Sequence, residues 1–175
     1  MTKALDVLKY INETNRPFGE VQYQKFLYYV QAWSLAWDGV PMFEDKIEAW
    51  TMGPVVPSAR HYQGVRGRYD LTDAQKAKID AVVGYYRQWS GKTLADMTHT
   101  ERPWIEARGD LPAEAPSAEE VTHDSMRCEF TLQSLLDQGP KRPSPDVEEA
   151  DPDDALALAA KASRRWSRTL ALLAE

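Results

Sequence analysis

The sequence has 175 residues, of which 43% are apolar and 27% charged, and this composition is typical of one globular domain with a short appendage. It excludes a fibrous or wholly disordered protein. The longest aliphatic run covers only residues 155–160, whereas a bilayer crossing needs ~20 apolar residues. The first residues show no secretion signal, and the lone Cys128 fits a reducing compartment, so we expect a cytoplasmic protein.

Charge is distributed unevenly along the chain. Residues 1–109 carry 14 Lys/Arg and 13 Asp/Glu, and residues 110–154 carry 3 basic and 13 acidic groups. Residues 155–175 are basic again, with 4 cations and 1 anion. The formal net charge of -6 disfavours non-specific binding to nucleic acid.

Hydrophobic spacing predicts two helices at the start of the chain. The first is capped by Thr2 and ends at residues 15–17, and the second covers about residues 20–37. The second helix carries a heavily aromatic face, which we expect at the centre of the core. That face is formed by Phe26, Val30, Trp33 and Trp37.

The middle of the chain mixes extended and helical patterns. Residues 41–50 alternate only in their last part, which predicts a short strand or extended arm, and residues 53–57 are predicted to break the chain. Residues 58–62 are expected to begin or continue a short helix that stops at Gly64 or Gly67. Thr72 or Asp73 caps the next helix, and two short helices follow over about residues 93–97 and 103–108. The apolar face of the capped helix consists of Ile79, Val82, Val83, Tyr86 and Trp89.

The last third of the chain contains a loop over residues 110–116 and a helix over about residues 117–138, in which residues 129–132 could alternatively be extended. Its apolar residues are Val121, Met126, Phe130, Leu132 and Leu135. Residues 139–152 hold four prolines and four acids, which predicts a linker. Residues 153–175 predict a basic amphipathic helix.

The sequence therefore predicts a mainly α fold: a compact multi-helix single domain over residues 1–138, with at most a short strand or hairpin near residues 43–50. The linker over residues 139–152 and the C-terminal helix over residues 153–175 follow it.

Residue patterns for catalysis are weak. His123 and Cys128 are five residues apart, which places them ~140° apart on a helix, so they do not form a thiol–imidazole pair. We expect a small buried thiol at Cys128. His61 and His99 lack the spacing of a metal site, and a cysteine-rich zinc site is excluded by the single cysteine. We therefore predict no catalytic residue, no metal, no cofactor and no enzymatic activity.

Exposed aromatic and arginine side chains dominate protein interfaces, and several positions beside turns or charged residues have these types. The candidate partner-binding residues are Trp50, Arg60, Tyr62, Arg66, Arg68, Arg164, Arg165, Trp166 and Arg168. For the loop arginines the alternative is solvated charge. For the C-terminal helix the alternative is packing on its own domain, while membrane attachment is disfavoured by the small number of cations.

Seven separated motifs stand in a fixed order in the first two thirds of the chain. They are residues 24–33, 39–43, 47–50, 53–57, 71–73, 94–99 and 103–104. In this order and spacing, over roughly residues 4–138, the chain resembles the Panacea family, the SocA-like or phage-associated GepA-like antitoxin domain. Several of the motif residues are expected to have a structural role. Those expected to pack in the core are Phe26, Tyr29, Trp33 and Trp104.

The resemblance implies a non-enzymatic antitoxin that binds and neutralises a protein toxin, usually encoded by the adjacent gene. The family pairs one domain with many unrelated toxins, and one branch acts as an adaptor that delivers its toxin to a protease. A DNA-binding regulator is the other alternative, although we expect no operator binding because no helix-turn-helix module precedes the domain. Self-association into a homo-oligomer stays open.

Overall fold

The computed structural model describes residues 2–15, 17–62, 64–112 and 114–144, and Met1–Pro143 form one compact unit. Within the described residues the helices are α1 (Ala4–Thr14), α2 (Gly19–Asp38), α3 (Asp73–Tyr86), α4 (Gly91–Thr98), α5 (Arg102–Arg108) and α6 (His123–Leu135). A small hairpin joins strand β1 (Glu48–Trp50) to strand β2 (Gly53–Val55). The predicted mainly α fold is confirmed. The predicted C-terminal helix and most of the predicted linker lie outside the described residues.

Helix α2 forms the centre of the molecule, as predicted. Every residue from Gln22 to Leu35 is buried, because α3, α4, α6 and β2 all pack against this helix. The helix ends at Gly39, which adopts a left-handed φ of 72° and donates its amide to the carbonyl of Leu35. A helix that is buried on all sides carries the core of a small domain.

The hairpin is more extensive than the sequence pattern predicts. Trp50 pairs with Gly53 and Glu48 pairs with Val55, so residues 53–57, predicted to break the chain, begin with a strand. On the other side of β1, the amide of Ala49 donates to the carbonyl of Glu119 at 2.8 Å. The helix predicted from residue 117 therefore begins only at His123, because the preceding residues pair with β1.

Two other local predictions are wrong. Thr2 does not cap α1, since the amide of Ala4 donates to Asp45 Oδ2 at 2.8 Å and the Thr2 hydroxyl instead accepts from the Gln75 side chain. The helix predicted over residues 58–62 is only the 3₁₀ turn Pro57–Ala59.

The prediction for the start of α3 is confirmed, and the prediction for the apolar residues of α6 is confirmed only in part. Of the two predicted caps of α3, Thr72 is the one observed, with a reciprocal hydrogen-bond pair to Gln75, and Asp73 is the first residue of the helix. In α6, Met126 and Phe130 are buried, whereas Leu132 and Leu135 are exposed and do not contribute to the core.

Aromatic rings fill the space between α2, α3 and α6. The rings of Tyr29 and Tyr86 stack with their centroids 3.7 Å apart, and Trp33 Nε1 donates to the Tyr86 hydroxyl at 3.0 Å. Phe130 of α6 meets the ring of Trp33 edge-on at 5.4 Å. The buried aromatic core predicted for Phe26, Tyr29, Trp33 and Trp104 is confirmed.

The first residues of the predicted linker pack against α2. A Cβ atom on Gly139 would lie 2.2 Å from Cζ2 of Trp33, and Pro140 is buried. Arg142 then pairs with Asp38 at the end of α2, with Nη2 and Oδ1 2.6 Å apart. The chain after α6 thus closes over the indole of Trp33.

The close approach of Gly139 to Trp33 can be tested with a pair of glycine variants. We expect Gly139→Ala to lower the free energy of unfolding by about 1–3 kcal/mol, because the new methyl group overlaps a buried ring. Gly84→Ala is the matched control, since Gly84 lies within α3 and a Cβ there meets nothing within 4 Å. The control should raise the free energy of unfolding by about 0.5–1 kcal/mol. Urea denaturation measures both, and equal effects would contradict the packing.

Candidate functional site

Two titratable side chains are buried at the centre of the fold: Lys25 of α2 and Glu101 at the start of α5. Lys25 is 1% exposed and donates from Nζ to the carbonyl of Pro54 at 2.9 Å. Glu101 is 7% exposed and accepts from the hydroxyls of Tyr28 and Tyr29 at 2.9 and 3.0 Å. These contacts join α2 to the hairpin and to the start of α5.

Burial dominates the electrostatics of this cluster. Burial raises the pKa of Glu101 to about 8, although the hydrogen bonds from the two tyrosine hydroxyls favour the carboxylate and lower this pKa. Burial lowers the pKa of Lys25 to about 7, although the negative charge of Glu101 raises this pKa. It also raises the pKa of Tyr28 and of Tyr29. The cluster is a structural polar core, since every one of these groups is enclosed by protein.

Gly53 allows the hairpin to approach this cluster. It has a φ of +88°, and a Cβ atom there would lie 2.4 Å from the Thr98 hydroxyl and 2.8 Å from Lys25 Nζ. Only glycine accommodates both the left-handed backbone and the close contact. The adjoining His99 contacts the indole of Trp104, with ring centroids 4.3 Å apart and the ring planes tilted by 31°.

An aromatic and cationic surface lies at the turn of the hairpin and is partly exposed. The guanidinium of Arg60 lies 4.9 Å from the ring centroid of Trp50, and Trp50 Nε1 donates to Glu48 Oε2 at 2.7 Å. Met52 stands beside them in the hairpin turn and is 52% exposed. We call Trp50, Met52 and Arg60 the Trp50 surface. Its indole is half-buried and held in place from two directions.

Two grooves flank the Trp50 surface and share Trp50 and Met52. The larger has a volume of about 550 Å³ and is lined by Glu48, Trp50, Thr51, Met52, Pro116, Ser117 and Ala118. The smaller has a volume of about 220 Å³ and is lined by Glu20, Val21, Gln24, Lys25, Trp50, Met52, Val55 and Arg60. Concave, mostly apolar surfaces with a few polar groups are typical of binding sites.

Arg60 is only weakly engaged within the chain. Its Nε lies 3.5 Å from Glu20 Oε1, and both side chains are partly exposed, at 46% and 39%. Exposed pairs of this kind contribute ~0–1 kcal/mol. Among the described residues the Arg60 guanidinium has this ion pair and the Trp50 ring as its partners, and it donates no hydrogen bond to any of them.

The structure brings some of the predicted partner-binding residues together. Trp50 and Arg60 are in contact, and Tyr62 is exposed just beyond them. Arg66 and Arg68 are also exposed, but their loop is tied to α1, where Lys9 donates to the carbonyl of Arg68 at 3.0 Å. The remaining candidates, Arg164, Arg165, Trp166 and Arg168, lie outside the described residues.

Sequence reasoning missed Met52 and residues 116–118, which complete the larger groove. The signal for Met52 is the hairpin register, because a two-residue turn between Trp50 and Gly53 places an apolar side chain at an exposed tip. The sequence of residues 116–118 itself does not indicate their position beside the groove. That position depends on the pairing of the residues after 118 with β1.

The prediction of a buried thiol is wrong. Cys128 is exposed on α6, because Met126 and Phe130 take the inward-facing positions of this helix. In the part of the chain that the structure describes, no cluster of three or more His, Cys, Asp or Glu residues could hold a metal ion. None of the described helices has both the length and the apolar composition to cross a membrane.

Residues 23–105 match the family model described as antitoxin SocA-like, Panacea domain. This match confirms the resemblance seen in the sequence motifs, over a shorter stretch than residues 4–138. It includes Lys25, Glu101 and the whole Trp50 surface, while residues 116–118 lie outside it. No curated protein and no solved structure matched the chain.

The buried carboxyl of Glu101 predicts a specific pH dependence of stability. Its pKa rises from an ordinary value of 4.5 to about 8 in the folded protein, so its stabilising contribution is complete below pH 4.5 and is lost as the pH rises toward 8. From about pH 5 to about 6.5, the free energy of unfolding of the wild type should therefore fall relative to Glu101→Gln, by on the order of 1 kcal/mol. This pH range lies below the pKa of Lys25, which is about 7. The contribution of Lys25 to the free energy of unfolding rises with pH, in the direction opposite to that of Glu101.

Chemical denaturation across that pH range measures the difference. Glu106→Gln is the matched control, because Glu106 is a surface residue that pairs with Arg102 on the same helix. The control should run parallel to the wild type. Parallel curves for Glu101→Gln as well would contradict a buried, protonated carboxyl.

Proposed function

Because residues 23–105 carry an antitoxin SocA-like Panacea domain, we propose that this protein neutralises a cognate protein toxin by direct stoichiometric binding. The family match supports an antitoxin-type role and a protein partner, and it is the observation on which the proposal rests. We further propose that the toxin is encoded by the adjacent gene and that neutralisation involves no catalysis by this chain.

The Trp50 surface provides a physical means of binding. An indole, a thioether and a guanidinium stand together at the tip of a hairpin, beside two grooves. Tryptophan and arginine are enriched among the residues that dominate interface energies. The surface also lies within the matched segment, so the same domain supplies both the family signature and a candidate interface.

Co-expression of the full chain with the product of the adjacent gene tests the proposal. We expect the neighbour alone to arrest growth, and the pair to grow and to co-elute in a fixed ratio with the toxin level unchanged. A toxin level that falls in a protease-dependent way would replace stoichiometric inhibition with the adaptor mechanism. A harmless neighbour that never associates with this protein would refute the proposal.

The contribution of the C-terminal residues is a separate prediction. We expect a chain truncated after Ser144 to bind the toxin more weakly, since Arg164, Arg165, Trp166 and Arg168 are interface residue types. Truncation at this point keeps Gly139 and Pro140, which pack on the body. Calorimetric titration of toxin into both proteins measures the change. Charge reversal of the three arginines in the full chain is the matched variant, and unchanged affinity in both would remove this segment from the mechanism.

A further inference from the structure

The charge around the Trp50 surface restricts the chemistry of its partner. Residues 57–69, which include Arg60, contain three arginines and no Asp or Glu. Arg66 and Arg68 are exposed and form no ion pair with a described residue. The two acidic residues that line the grooves have partners within the chain, since Glu48 accepts from the Trp50 indole and Glu20 faces Arg60.

Arg60 is prepared for a carboxylate. Its guanidinium lies over the Trp50 ring, with Cζ 4.9 Å from the ring centroid, while no described residue accepts a hydrogen bond from it. A carboxylate that accepts two parallel N–H donors from a guanidinium fork forms a short, charge-assisted contact. Glu20 at 3.5 Å does not form this contact, so an incoming carboxylate gains hydrogen bonds that the free protein lacks.

The larger groove supplies an adjacent apolar anchor point. Its walls include Trp50 and Met52 on one side and Pro116 and Ala118 on the other, and its volume of about 550 Å³ admits one or two large side chains. Because Trp50 separates this groove from Arg60, a partner would meet both with residues that are close in its own sequence.

We propose that the Trp50 surface binds an acidic segment of the toxin, with an apolar side chain in the larger groove and a neighbouring carboxylate on Arg60. This inference rests on the proposed function, and it adds the chemistry of the toxin's contact segment. It commits to a protein partner because the apolar groove and the guanidinium fork adjoin, whereas a nucleic acid would need a run of phosphate-binding cations.

Selection of a random peptide library on the immobilised full chain tests this chemistry without knowledge of the toxin. We expect the enriched peptides to carry Asp or Glu beside an aromatic or aliphatic residue. Their affinity, measured by fluorescence anisotropy, should fall about thirtyfold in Met52→Asp and in Arg60→Glu, as for an interface hot spot. Glu20→Gln should tighten binding, because it removes the competing anion from Arg60.

The controls repeat the same chemical changes elsewhere. Leu135→Asp places a carboxylate at an apolar residue that is 80% exposed on α6, and Arg87→Glu reverses an exposed charge at the end of α3. Both should bind the peptides as the wild type does. Met52 and Arg60 are themselves exposed, so thermal unfolding should show these variants folded. Enrichment of basic or neutral peptides, or equal losses in the controls, would overturn the inference.

The same variants in the co-expression assay separate the two proposals. If the wild type neutralises the toxin while Met52→Asp and Arg60→Glu fail, both proposals are supported. If these variants neutralise and bind the toxin like the wild type, the inference is overturned while the proposed function stands. If the wild type itself does not neutralise, the proposed function fails, and the peptide affinities alone then decide whether the surface selects acidic segments.

Discussion

Polar side chains that project from α2 hold the irregular backbone between α2 and α3 in place. Gln24, Lys25 and Gln31 are all buried, and they hydrogen-bond the backbone of residues 42–43 and 54–56 at 2.7–3.4 Å. Buried amides and carbonyls need partners, and this stretch has only a three-residue ladder of its own. The central helix therefore acts both as the apolar core and as the source of the hydrogen bonds that a larger sheet would otherwise provide.

This arrangement buries β2 and leaves Met52 in the hairpin turn exposed. Gly53 and Pro54 lie against Lys25, so β2 cannot move outward without leaving a buried amine unpaired. Trp50 and Met52 then stand on a supported strand and turn rather than on a free loop. Preorganisation of this kind reduces the ordering cost of association, and it gives the exposed indole a defined orientation.

The sequence predicts the features that depend on local signals. The central helix α2 and the Thr72 cap of α3 follow from hydrophobic spacing and capping chemistry. The burial of Lys25 could not be predicted, because a lysine on a helix is ordinarily a surface residue and its partners come from distant segments. Pairing of residues 119–121 with β1 is equally non-local. At the site, residue type alone is enough to predict Trp50 and Arg60 as partner-binding residues. The exposure of Met52 can be predicted only when the hairpin turn is known.

The two walls of the larger groove come from different parts of the chain. Trp50 and Met52 belong to the segment that matches the Panacea domain, whereas residues 116–118 follow it, in an irregular stretch between α5 and α6. Irregular connections tolerate changes of length and sequence that a packed hairpin does not. The backbone beside residues 116–118 is held by Arg108 at Ala115 and by Ala49 at Glu119, so that side-chain changes there can reshape this wall while the aromatic and cationic anchor is kept. Side-chain changes at residues 116–118 can therefore alter the groove without disturbing the buried cluster of Lys25 and Glu101.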